Sequence, residues 1–242
     1  MSVFRSIVFS AALSGLIVGA AITAAQMVGT VPLIQKAETY ERKAAAPEAA
    51  APVPAAHDHA THDHATTAAH DHDGAWEPAD GLQRNAFTAG ANILTATGFG
   101  LLLSGIFALR GHPVHWREGL FWGLGGFVVF TAAPGLGLPP ELPGMPVAEL
   151  AARQTWWIAT ACATAAGIGL LTFRREAWAA ALGVGLIVLP HLIGAPQAAE
   201  AHTDVPHALA HSFVVAAVLT SLLFWTLLGV LSSLAFRRIA RA

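Results

Sequence analysis

The feature that most limits what this chain can fold into is a succession of six apolar stretches. They cover Ile7–Val31, Asn85–Leu109, Glu118–Ala133, Gln154–Phe173, Ala177–Ile193 and Ala208–Phe236. About 20 apolar helical residues cross the hydrocarbon core of a bilayer. Lipid offers no hydrogen-bond partners, so such segments must satisfy their own backbone and become helices. The remaining composition agrees: 12% of the 242 residues are charged, about half the usual share of a soluble domain. The expected fold class is therefore an all-α polytopic membrane protein with about six transmembrane helices, embedded in a lipid bilayer. Its parts are a first transmembrane helix (1–32), a linker (33–83) and a five-helix transmembrane domain (84–242). Glu118–Ala133 is short for a span, so a count of five is the alternative. No basic block points to nucleic acid, and the single cysteine, Cys162, excludes an internal disulfide.

The first run contains Gly15-x-x-x-Gly19, a spacing that lets helices approach closely in membranes. It is longer than the apolar core of a signal peptide, so a retained helix is expected. Basic residues orient the chain. With the N-terminus inside, the inner segments carry Arg5, Arg110, Arg117, Arg174, Arg175, Arg237, Arg238 and Arg241. The outer side carries Arg84, Arg153, Lys36, Arg42 and Lys43. The inner segments are short and the outer linker long, so the bias is toward cytoplasmic termini. The linker then faces outward, into the periplasm of a bacterium with an inner membrane.

That linker has no apolar period and is expected to lack regular structure. Within it, residues 57–73 hold six histidines and four aspartates, with three His-Asp-His triplets followed by Asp73. The histidines are His57, His59, His62, His64, His70 and His72. Imidazole and carboxylate at this density chelate borderline divalent cations such as zinc, cobalt and nickel. Trp76 and Pro78 mark the return to the membrane interface, where tryptophan is favoured.

Self-comparison of the membrane part shows a repeat. Arg84 is followed eleven residues later by Thr95-Ala96-Thr97-Gly98-Phe99-Gly100-Leu101-Leu102, and Arg153 at the same interval by Thr164-Ala165-Ala166-Gly167-Ile168-Gly169-Leu170-Leu171. An acid precedes each arginine by four residues, Asp80 and Glu149, which predicts an ion pair on one helix face. Prolines 32, 134 and 190 lie near the outer ends of the intervening helices. The pattern predicts three helical hairpins, each with a polar outer loop. A repeated use of small residues for packing is the alternative reading of the third copy.

An ionisable residue at the edge of a membrane helix marks a functional site by default. His191 follows Pro190 directly, and His207 and His211 are four apart, so both imidazoles of the pair lie on one helix face. With Asp204 they are the candidate metal ligands of an outer site, His202 being a possible addition. A cap for the last helix is the other role open to Asp204. Glu141 and Met145, in the proline- and glycine-shaped turn Pro134–Pro146, could approach a cation, although a structural cap is the favoured role of that loop. Asn92, Thr95 and Cys162 are explained by hydrogen bonding between helices. His112 and His115, flanked by Arg110 and Arg117, suit the headgroup level better than a bound cation. No glycine loop with lysine suggests nucleotide hydrolysis, and scattered histidines do not build a membrane metalloenzyme, so the chain is read as no enzyme.

Several stretches resemble the CbtA family of predicted bacterial cobalt transporters. These are the first helix with its histidine-rich outer linker and Trp76-x-Pro78-x-Asp80-Gly81, the segment Ala133–Gly144, the run Arg153-Gln154-x-Trp156-Trp157, and Pro190–Pro196. The likeness covers nearly the whole chain. It implies cobalt uptake linked to cobalamin synthesis, and a small CbtB-like membrane subunit as partner. It also implies five spans, against the six favoured by the charges. The residues alone point only to a membrane protein handling a divalent metal. Uptake through a site near His191, His207 and His211, fed by the tract, is the leading reading. A membrane metal-binding or metal-sensing module without transport is the alternative.

Overall fold

The computed structural model describes residues 2–45, 78–199 and 202–241. The histidine tract and Trp76 lie outside the described residues. The elements are α1 (Val3–Val28), α2 (Thr30–Ala45), α3 (Leu82–Arg110), α4 (Trp116–Gly137), α5 (Leu150–Phe173), α6 (Ala177–Ile193) and α7 (His207–Arg241). By length and composition α1, α3, α4, α5 and α7 can cross a membrane, and α6 is a shorter apolar helix of 17 residues. At 1.5 Å per residue α6 is about 25 Å long, a few ångströms less than a bilayer core.

The short member is thus α6, not α4 as expected. That helix exceeds its expected length because it runs through Pro134. Proline has no N–H for the carbonyl four residues back and crowds it. Here a π-helical turn, Val128–Ala132, precedes Pro134, and the helix resumes to Gly137. A π turn relaxes the ladder where a proline would otherwise break it.

Residues 33–45 also differ from expectation, since they belong to α2. Its sequence hides a short apolar period. Leu33, Ile34, Ala37 and Tyr40 share one face, and Ala37 is fully buried. Pro32 falls in the first turn, where its missing N–H costs nothing. The chain turns from α1 into α2 at Gly29, whose N–H still donates to the carbonyl of Ala25 at 2.9 Å.

The first expected hairpin is a tight pair. α1 and α3 run antiparallel so closely that a Cβ on Gly15 or Gly19 would overlap the main chain of Thr97 or Ile93. Asn92 Nδ2 donates to Thr23 Oγ1 at 3.0 Å and Gln26 Oε1 at 2.7 Å, the interhelical role expected of it. The other two hairpins are redistributed. α4 packs chiefly on α7, which also lies against α1 and α3, and α5 packs on α6. Ser232 Oγ donates to Ser14 Oγ at 3.1 Å inside this bundle, so α1 is part of the core. The result is a core of α1, α3, α4 and α7, with an α5–α6 pair that leans on it mainly at the π turn and the residues after it.

The repeated glycines take exchanged parts. Gly100 of α3 meets Ala11 of α1 while Gly98 faces open space; in α5 Gly167 meets Gly183 of α6 while Gly169 faces open space. One sequence motif serves two different packing faces.

Candidate functional site

At the linker end of the bundle, α2 lies over two loop segments, 138–149 and 202–206. Ala37, Leu142, Val205, Leu209 and Phe213 form an apolar cluster there, with Met145 against it. Thr203 Oγ1 donates to the carbonyl of Gly144 at 2.9 Å and ties the loops together. These contacts fix the polar residues of that end.

Each repeat arginine is ion-paired, the first with the acid four residues before it as the spacing predicts, the second with a different one. Arg84 reaches Asp80 at 3.1 Å and, more closely, Glu38 of α2. Arg153 pairs with Glu141 at 2.7 Å, not with Glu149. The reason is local. Glu149 is the N-cap of α5 and accepts the N–H groups of Ala151 and Ala152, which hold its carboxyl below the ordinary carboxylate pKa. Four orphan N–H groups at a helix start compete well for a carboxylate. Each arginine thus recruits a glutamate from a preceding segment, a correspondence that strengthens the repeat.

Beneath the Glu141–Arg153 pair lies a recess of about 810 Å³ between α4, α5 and α7. Glu141, Arg153, Gln154, Thr131 and Ser221 give it polar walls at its mouth and sides. Its floor is Phe130, on the π turn. That ring stacks on Trp225 at 5.4 Å and 7° and lies 6.1 Å from Trp157. Phe99 closes the group from α3, 5.1 Å from Phe130.

His191 sits in a separate recess of about 360 Å³, lined also by Trp156, Gly137 and Gln197. The Trp156 ring lies edge-on to it at 5.9 Å, and its Nε1 donates to the Pro190 carbonyl at 3.3 Å. His207 and His211 share an exposed face of α7, while Leu209 and Phe213 on the other side are buried. Asp204 pairs with His202 at 3.6 Å, both exposed. Met145 turns its sulfur to the N–H of Leu142 at 3.4 Å. Among the described residues, no three of His, Cys, Asp and Glu are gathered as a metal cage. His57, His59, His62, His64, His70 and His72 fall outside those residues.

At the opposite end His115 and Glu118 form a reciprocal cap at the start of α4. Arg110 contacts His112 at 3.0 Å and Glu118 at 3.5 Å, and Arg237 contacts His115 at 3.4 Å. Sequence reasoning singled out Glu141 but missed Glu38 and the Phe130 aromatic group. An arginine within the first turn of a membrane helix demands a counterion, and that requirement is the clue that could have found Glu38.

Long apolar helices, ion-paired arginines at their ends and a helix carried past a proline by a π turn define a polytopic α-helical membrane protein. Within that class the chain belongs to the CbtA family: the family model described as "Probable cobalt transporter subunit (CbtA)" matches residues 4–237. Comparison with curated proteins and with solved structures gave no match. The family is that of a transporter subunit, with cobalt as the substrate its description names.

Proposed function

We propose that this subunit takes up a divalent cation, cobalt foremost with nickel or zinc as alternatives, across the bacterial inner membrane. The observation that carries this reading is the recess bearing Glu141, which lies at the end of the bundle where α2 ends and α3 begins. The linker leaves α2 at Ala45 and returns before α3, so both of its anchors lie at that end. The positive-inside bias supports cytoplasmic termini and an outward linker. In this reading the tract captures the ion and raises its local concentration. His191, Asp204, His207 and His211, around the same end, receive it, and a shift of the α5–α6 pair against the core passes it inward past Phe130. A small CbtB-like membrane subunit is the partner the reading includes.

Cobalt uptake by cells tests it. Deleting residues 57–73 is expected to raise the cobalt concentration needed for half-maximal uptake while leaving the maximal rate. Unchanged uptake at limiting cobalt removes the capture role. Capture should weaken as pH falls below about 6.5, where a free imidazole protonates and loses its ligand lone pair. A cobalt-binding titration of the intact protein at several pH values reads this directly. His191→Ala and His211→Ala are expected to lower the rate itself, and a normal rate in both excludes them from the transfer site.

The histidine tract suits equally a second reading, a membrane metal-binding or sensing module without transport. Vesicles containing the protein and its partner, loaded with a metal-sensitive dye, separate the two, since only transport brightens the dye.

A further inference from the structure

A second cleft lies on the other side of Phe130, toward the arginine-rich end. It measures about 440 Å³ and separates α5 from α3 and α4. Leu103, Ile106, Trp122, Val129, Ile168 and Phe173 are among its walls. Gly125 of α4 and Gly169 of α5 also line it, and a Cβ on either would meet no atom within 4 Å. The two helices stand apart here.

Water is a poor occupant. By volume the cleft would hold on the order of a dozen molecules at ~30 Å³ each, and each needs two to four polar partners. Apart from the indole N–H groups of Trp122 and Trp225, the polar side chains in the wall, among the described residues, are Arg110 and Thr172, and the Thr172 hydroxyl already donates to the Ile168 carbonyl at 2.7 Å. A dry void would forfeit the dispersion contacts of its lining.

The cleft also has a direction. Arg110 stands at its edge, at the end of α3, with its guanidinium 5.8 Å from the Trp122 ring. Phe130 closes it at depth, since that ring lines both this cleft and the recess beyond. From Arg110 to Phe99 along α3 is about 16 Å, close to half the ~30 Å hydrocarbon thickness. A transmembrane helix of a partner, about 10 Å wide, would need a groove through the full thickness. A chain entering from one leaflet needs only half.

We infer that this cleft is a binding site for one acyl chain of an anionic phospholipid, with its headgroup at Arg110. The charge fits. Arg174 and Arg175 follow Phe173 directly, are exposed, and make no ion pair among the described residues. Glu118 opposes Arg110 only at 3.5 Å and at the surface, leaving the guanidinium able to meet a phosphate. The inference does not depend on transport.

Native mass spectrometry of the whole protein, released from bilayers of mixed phosphatidylglycerol and phosphatidylethanolamine into mild detergent, tests it. The wild-type chain is expected to retain one phospholipid, predominantly phosphatidylglycerol. Gly169→Phe, which places a ring in open space, should abolish retention, and Gly125→Phe repeats the test from the opposite wall. Arg110→Gln should keep the lipid but lower the preference for the anionic one about fivefold, the weight of one basic side chain at an anionic surface. Thermal unfolding of each variant monitors the fold. A wild-type chain without lipid, or equal retention after filling the cleft, overturns the inference. So does a wild-type dimer that filling the cleft dissociates, since a second copy would then be the occupant.

Discussion

Gly123→Leu is expected to leave no folded protein. α4 and α7 meet backbone to backbone: a Cβ on Gly123 would fall on the carbonyl of Trp225, and one on Gly229 on the carbonyl of Gly119. Apolar burial gives membrane helices little reason to associate, so this contact and its packing hold the seam. The helices cannot part to admit a side chain without separating Phe130 from Trp225, the stacked rings beneath the recess. Gly123→Ala should already cost about 1–3 kcal/mol, the usual penalty of overpacking. Gly125→Ala, two residues along on an open face, should be neutral or slightly stabilising because alanine is the better helix former. Thermal unfolding of the two alanine variants in one detergent gives the comparison. Equal melting temperatures would mean that the α4–α7 seam is not this tight.

Glu141→Gln is expected to have the largest effect on function short of unfolding. The carboxylate is four-fifths buried and lies 2.7 Å from Arg153. The Nε of that arginine is buried and already lacks a partner. Neutralising Glu141 leaves the guanidinium with no charge partner, a loss of about 1–3 kcal/mol, reduced by whatever water reaches the recess. If the recess is the ion's way in, cobalt uptake falls more than melting temperature does, because an uncompensated cation then guards the entrance. Arg153→Gln should act oppositely on affinity, freeing the carboxylate for metal, and the double variant should recover stability lost in the first. Normal uptake by Glu141→Gln would remove the recess from the path.

Much of the fold was legible in the chain because its cause is local. A helix in lipid satisfies its own backbone, so the apolar runs mark α1, α3, α4, α5, α6 and α7 without knowledge of their neighbours. What failed was the length of α4 and the assignment of α2. Proline usually ends a helix, and nothing in the residues around Pro134 announces the π turn that absorbs it. The apolar face of α2 is only four residues wide, and it counts as a face because Leu142, Val205 and Leu209 arrive from elsewhere to cover it.

The candidate site divides in the same way. Asp80 with Arg84 was readable, being an acid four residues ahead of an arginine at a helix start, whereas Glu141 with Arg153 was not, because the nearer Glu149 caps the helix instead. His207 and His211 share a face as their spacing requires, yet His191 lines its own recess beside Trp156. Sequence by itself determined the class of protein, the number and order of its apolar helices, and its family. Tertiary structure alone decided which helices pair, which glycines touch, and where the recess and the cleft lie around Phe130. The physical reason is that a membrane span is set by the length of an apolar run, while its partner is chosen by the fit of small side chains on a surface that is otherwise uniformly apolar.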